Sequence, residues 1–223
     1  MADKPHITKN LVAQYTETTY LNAFFGIMLY YLSGLFRLPK SARIVDCACG
    51  IGVFIKLLQN RGFREIDGFD AAPEMVALAR ARTGREIRLL EARDIAKEFP
   101  HGTYDAVCVL NMLHHLEADQ DFRGFLRGCG DLLKPGGLIV IREPHPTMLT
   151  RVFVAMSRYP IFYVGIMRHR LNSYVIERDL FKLFYERWLG RHREVLADAG
   201  FAQRRAFNWL DSRIVIGVKK SEA

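Results

Sequence analysis

Cysteine is too scarce and too badly placed in this chain to build a disulfide framework. Four occur in 223 residues, two of them as Cys47 and Cys49 in one tight loop, so reduced thiols are expected. Glycine and proline are few as well, 25 residues between them, which with a half-apolar composition excludes disorder, collagen and low complexity. The opening stretch MADKPHITKN lacks a basic segment followed by an apolar one, so no secretory signal is read and a cytoplasmic location is expected. No repeat of solenoid period and no Pro/Ser-rich linker is visible. At this length the expectation is one domain, residues 1–223, burying a full core without staples.

Acidic residues run short only towards the C-terminus. Residues 1–150 carry 18 Lys/Arg against 17 Asp/Glu, and residues 151–223 carry 14 against 7, which holds nearly all of the net charge of +8. Such a tilt suits an anionic substrate, a nucleic acid, an anionic membrane surface or a merely solvated basic face, and does not choose among them.

What is present is a regular alternation. Residues 43–48 read as a buried strand, and GIGVFIKLLQNRGF follows with apolar positions at helical spacing. Then come strand EIDGFD, helix PEMVALARAR opened by Pro73, strand EIRLLEA, strand YDAVCVL, helix DQDFRGFLRGCGDLL, the turn KPGG and strand LIVIRE. Strands alternating with helices predict a parallel sheet covered on both faces. After residues 146–185 come helix ERWLGRHREVLADAG and strands FAQRRAFNWL and SRIVIGVKK. Their tight join around Asp211-Ser212 requires an antiparallel last pair. The fold class is therefore α/β, a seven-stranded, mostly parallel sheet with helices on both faces.

A glycine turn after the first strand is where such a sheet binds nucleotide-like ligands. The dinucleotide pattern G-x-G-x-x-G fails here, since Val53 occupies the third small site. The spacing is instead D-x-A-x-G-x-G, led by Asp46, with Asp70 ending the second strand 20 residues after Gly50 and Asp94 following the third. With the phrases YDAVCVLNMLHHL, LLKPGGLIVIREP and HREVLADAGF, residues 40–145 and 186–220 resemble the class I S-adenosylmethionine-dependent methyltransferases, closest to their small-molecule type 11/25 group. The resemblance implies a Rossmann-like core (41–145 and 186–220), N-terminal cover helices (1–40) and a helical lid (146–185). It implies S-adenosylmethionine as cofactor and S-adenosylhomocysteine as product. The cofactor set it implies is Asp46, Ala48, Gly50 and Gly52, then Asp70 with Ala71 and Met75, Asp94 with Ile95, and Asn111 with Met112, closed over by Tyr15 or Tyr20. One departure stands out: Ala48 replaces the first glycine of the family's loop, and alanine tolerates positive φ less well.

By the same resemblance the reaction is methyl transfer, in which a protein mostly positions and desolvates. Candidate bases are His114 and His115 at the exit of the fourth strand, expected to face different ways, and Glu143 and His145 at the end of the fifth. For Glu143 and His145 the competing reading is support of the loop. No metal is expected, because Cys47-Ala48-Cys49 lacks the C-x2-C spacing of structural zinc. Residues 146–185 hold eight aromatics and six Lys/Arg against two acids, which suits an apolar acceptor carrying an acid group, or a bilayer interface. The apolar stretch 19–36 is interrupted by Asn22, Ser33 and two glycines and is read as a buried cover helix, with homodimerisation as its competing use. The leading expectation is a small apolar or aromatic acceptor. The alternatives are lipid or quinone methylation at a membrane surface and a non-catalytic cofactor-binding partner subunit. Nucleic acid fits the charge, but Asn111-Met112-Leu113-His114 is not the N-P-P-[FY] tetrad that stacks a flipped base.

Overall fold

The computed structural model describes residues 19–145, 184–188 and 190–221. Seven strands, β1 (Arg43–Cys47), β2 (Glu65–Asp70), β3 (Arg88–Leu89), β4 (Tyr104–Leu110), β5 (Leu133–Pro144), β6 (Phe201–Trp209) and β7 (Ser212–Lys219), form one sheet in the order β3-β2-β1-β4-β5-β7-β6. The first five run parallel, while β7 is antiparallel to both β5 and β6. The helices are α1 (Thr19–Ser33), α2 (Val53–Asn60), α3 (Pro73–Thr83), α4 (Ile95–Glu98), α5 (Asp119–Leu132) and α6 (His192–Asp198).

Two apolar layers follow from the period of two along each strand. Val45 and Cys47 of β1, Val107 and Val109 of β4, and Ile139 and Ile141 of β5 pack on one face with Phe122, Phe125 and Leu126 of α5. Their neighbours Ile44, Ala106, Cys108 and Val140 pack on the other with Leu29 of α1 and Phe54 and Leu58 of α2. Strands buried on both sides are continuous apolar runs, as YDAVCVL and LIVI are. The chain turns from β1 towards β2 on one side and reaches β4 on the other, so the strand order reverses between β1 and β4. The crevice above the carboxyl ends of those two strands is where such sheets bind ligands.

Local details depart from the sequence reading. EIRLLEA contributes only Arg88–Leu89 as strand, and residues 92–94 turn at once into a 3-10 segment ahead of α4. The KPGG turn lies inside the span of β5: Tyr104 pairs with Leu133 and Ala106 with Leu138, so residues 134–137 bulge out of the ladder. The last helix is broken. Residues 184–188 are helical, Gly190 takes a φ of 76°, and α6 restarts at His192. A glycine in the left-handed region ends a helix as a C-cap does. The lid (146–185) lies outside the described residues except for its last two, as do Tyr15 and the side chain of Tyr20. Among the described residues no helix is long and apolar enough to cross a membrane.

Gly52 is required by two constraints at once. Its φ is 74°, and a Cβ there would stand 2.9 Å from Thr83 Cγ2 and 3.2 Å from the Ala79 Cα of α3. Gly52→Ala should therefore cost about 2–4 kcal/mol, conformational strain plus overpacking. Gly102→Ala shares the positive φ, 62°, but meets nothing within 4 Å and should cost about 1 kcal/mol. Urea midpoints at unchanged m-value measure the difference; equal losses would mean that the approach of loop to α3 contributes nothing.

Candidate functional site

The loop leaving β1 sits at the sheet's switch point and is wound tightly. Ala48, Gly50 and Gly52, at alternate positions, all have positive φ of 51°, 54° and 74°. The Cys49 amide donates to Phe69 O at 2.9 Å and the Gly52 amide to Cys49 O at 3.0 Å, which pins the loop to β2 and closes its turn. Glycine accepts such angles freely, whereas alanine pays about 1–2 kcal/mol for them. A Cβ on Gly50 would meet nothing within 4 Å among the described residues, so these leave room above the middle of the loop.

Two carboxylates face this loop. Asp70 Oδ2 accepts the Gly50 amide at 2.8 Å and Oδ1 accepts the Ala72 amide at 3.0 Å, joining the loop to the start of α3. Burial pushes its pKa above the ordinary carboxylate range, and the amides of Ala72, Gly50 and Ala71 pull it back. Asp46, the penultimate residue of β1, is 2% exposed, and its Oδ1 has no hydrogen-bond partner among the described residues. Burial, reinforced by the charge on Asp70, pushes its pKa up to about 8. A buried carboxyl of this kind is costly to ionise.

The remaining predicted cofactor residues divide. Asp94 is partly exposed and bound to Lys97 Nζ at 2.7 Å, with Arg93 at 3.7 Å, and the hydrogen bond from Lys97 holds its carboxyl below the usual range. Ala71 is exposed at the loop rim, and Met75 is 3% exposed yet belongs to neither apolar layer. Ile95 is different. Its side chain is in the core under α5, so close to Gly128 that a Cβ there would lie 2.8 Å from Ile95 Cγ2; the side chain faces the core and not the crevice.

The exit of β4 is held from β5. Asn111 has a φ of 55°, its amide donates to Arg142 O at 2.8 Å, and its Oδ1 accepts Arg142 Nη1 at 2.9 Å. The next residue of β5 works on the opposite face. Glu143 Oε1 accepts the amides of both Met112 and Leu113 at 2.8 Å, and Oε2 lies 2.7 Å from His114 Nδ1. Glu143 is fully buried and His114 is 3% exposed. Both oxygens of Glu143 are thus engaged in shaping the exit, which supports the loop-holding reading over proton transfer. His115 is exposed, as expected for a residue differing in direction from His114, although the two rings approach to 4.1 Å. His145 is half-buried, with its amide on Asp211 O at 2.8 Å, and burial, then the charges of Arg213 and His192, lower its pKa.

Arg142 was not among the residues picked out from the sequence. It is 8% exposed, reaches Asp211 Oδ1 at 3.6 Å and lies 4.6 Å from the Phe25 ring of α1. The signal available was a single cation inside the apolar run LIVIRE. Trp188 and Phe184, stacked at 6.0 Å on the His114 side, carried no such mark. Among the described residues no group of three His, Cys, Asp or Glu side chains could hold a metal ion. The four cysteines are free, and burial raises the thiol pKa values of Cys47 and Cys108, keeping them neutral.

Residues 45–141 match the methyltransferase domain family. That match covers less than half of the chain and makes it similar to methyltransferases. A ubiquinone biosynthesis O-methyltransferase of Xanthomonas campestris pv. campestris is 32% identical over 126 residues, 54% of this chain and 50% of that protein. A demethylmenaquinone methyltransferase of Thermus thermophilus is 36% identical over 117 residues, 49% of this chain and 50% of that protein. The chain thus spans about half the length of these curated relatives. Among solved structures, magnesium protoporphyrin IX methyltransferase from Synechocystis PCC 6803, determined with bound S-adenosylhomocysteine, superposes with a TM-score of 0.58 at 15% identity, covering 98% of this chain and 90% of that one. At that identity the likeness concerns the fold.

The loop leaving β1 and the hold of β5 on the β4 exit each set an expected change in stability. Removing Glu143 as alanine strands two buried amides and takes the carboxylate from His114 Nδ1, and should cost about 3–5 kcal/mol; Glu143→Gln keeps an acceptor oxygen and should cost less. Ala48→Gly relieves a positive φ and should gain about 0.5–1 kcal/mol after glycine's entropy is subtracted. Chemical denaturation of the three variants checks both; an Ala48→Gly protein less stable than the parent would mean that the alanine methyl contributes more by packing than its angle costs.

Proposed function

We propose that this chain transfers a methyl group from S-adenosylmethionine to a small apolar or aromatic acceptor. The observation that carries the reading is the buried Oδ1 of Asp46, unpartnered among the described residues, at the base of the loop in which a Cβ on Gly50 would meet none of them, a fit for the cationic amino-acid end of the cofactor. Asp46 would receive the ammonium group. Asp70 holds one amide on each oxygen and keeps further lone-pair sites for the ribose hydroxyls. Asp94 would accept from the adenine while sharing its charge with Lys97. The bound cofactor supplies a methyl group on a sulfonium centre, electrophilic without help from the protein. What this chain adds is orientation from loop 48–52 and exclusion of water from the crevice.

The names of the two relatives, both concerned with quinones, favour a phenolic or quinol ring as acceptor. Such an acceptor needs a proton removed, and His114 is the candidate base. With Nδ1 fixed on Glu143, proton transfer would run through Nε2. The competing reading, a non-catalytic cofactor-binding subunit, keeps the binding half of this account and loses the chemistry.

The binding half has a pH signature. Asp46 is neutral below about 8, and an ammonium group pairs with the ionised form, so binding expels a proton. Affinity for S-adenosylmethionine should rise with pH from 6 towards 8, by up to about tenfold per unit. Asp46→Asn should bind weakly at every pH with that dependence gone. Calorimetry at several pH values measures this, and a pH-independent wild-type affinity would remove Asp46 from the site. Transfer of labelled methyl to catechol- or hydroquinone-type acceptors tests the chemistry separately; binding without turnover across such a panel would leave the subunit reading.

A further inference from the structure

The end of the domain opposite the cofactor loop carries a cluster that methyl transfer does not use. α1 finishes there at Ser33, a 3-10 turn over Leu35–Arg37 follows, and the starts of β1 and β2 lie alongside. Tyr30, Tyr31, Phe36 and Phe63 form one set of rings with centroids 5.1–6.4 Å apart. Tyr31 is 46% exposed and Phe36 41%. Three cations lie over these rings: Arg37 at 5.3 Å from Phe36, Lys40 at 4.3 Å from Phe63, and Arg61 at 5.3 Å from both tyrosines.

None of these three cations has a carboxylate partner among the described residues. The sequence around them explains why. Residues 18–64 contain six Lys/Arg and one acid, Asp46, which is buried at the far end of β1; the next carboxylate along the chain is the exposed Glu65. Exposed rings beside cations that have no carboxylate partner among the described residues complement a surface that is anionic outside and apolar just beneath, where aromatics sit at headgroup depth and Lys/Arg meet acidic lipid. A nucleic acid would need open ring faces on which bases stack. Here the cations occupy those faces.

We propose that this patch docks the protein peripherally on an anionic phospholipid bilayer. The surface lies at the amino ends of the parallel strands, and loop 48–52 at their carboxyl ends. Docking therefore leaves the crevice in water and holds the domain close to membrane-borne acceptors without burying its mouth. No described helix crosses the bilayer in this arrangement, and attachment is reversible and weakened by salt.

Co-sedimentation of the full chain with vesicles of phosphatidylcholine alone, and of phosphatidylcholine with phosphatidylglycerol, tests the proposal. Binding is expected only to the second, and is expected to fall as salt is raised. Each basic residue at an acidic surface contributes about fivefold, so changing Arg37, Lys40 and Arg61 together to Gln should weaken binding by about 100-fold. Changing Arg127, Arg193 and Arg204 to Gln removes the same charge elsewhere and should change it far less. Affinity for S-adenosylmethionine, bound at the other end, reports that each variant is folded. Absence of binding to acidic vesicles, or equal loss in the two triple variants, overturns the proposal. So does a concentration-dependent dimer that Tyr31→Ser with Phe36→Ser abolishes, since the rings would then belong to a second copy of this chain.

Discussion

A carboxylate with no exposed surface must find all its donors inside the protein, and Glu143 finds three in consecutive residues of one turn. That requirement fixes the exit of β4. Met112 and Leu113 cannot turn elsewhere without stranding the charge, and His114 is drawn inwards to complete the set. Because successive residues of a strand point to opposite faces, Arg142 meets the preceding residue, Asn111, from the other side and holds it in a left-handed conformation. Two adjacent side chains of β5 thus grip four adjacent residues of the β4 exit. The crevice between β1 and β4 inherits its wall from this grip, and α1 is tied to the same point through Phe25.

The opposite wall is built on tension of another kind. Asp46 is buried with its Oδ1 unpartnered among the described residues, Asp70 adds a second carboxylate nearby, and Ala48 holds an angle that suits glycine. Each lowers the stability of the empty protein, and all three lie within one loop and its neighbour. Strain and buried carboxyls concentrated in this way are features that cluster at functional sites. An ammonium group beside Asp46 would convert the largest of these costs into an attraction.

Much of the architecture was legible because it rests on periodicity. Runs such as YDAVCVL announce strands buried on both sides, the intervening apolar spacing announces helices, and the short Asp211-Ser212 join forces the last pair antiparallel. The seven strands and their mixed directions follow. Less legible were features that depend on contacts distant in sequence. β3 shrinks to two residues because the chain must turn at once to lay Ile95 under α5. KPGG reads as a turn but is a bulge within β5, since the ladder resumes on β4 beyond it. Glu143 could be placed at the ligand edge from sequence, yet its donors lie 29–31 residues away, and only geometry reveals that they occupy both its oxygens. Arg142 escaped notice for the same reason. Asp46, Asp70 and Asp94 were marked by their spacing together with the family resemblance, and the structure adds what Asp70 and Asp94 are bonded to and that Asp46 Oδ1 has no partner among the described residues.

A sheet of this kind ends in two unpaired edges, and a long flat edge would invite strands of other molecules. β3 offers only two residues on one side. β6 is nine residues long, but its register with β7 shifts between Gln203 and Arg205, and the exposed Arg204 and Arg205 put charge at the shift. One border is too short to template a neighbour, and the other is kinked and repels its own copy. The domain can therefore be concentrated, or crowded on a surface, without its strands continuing from one molecule into the next.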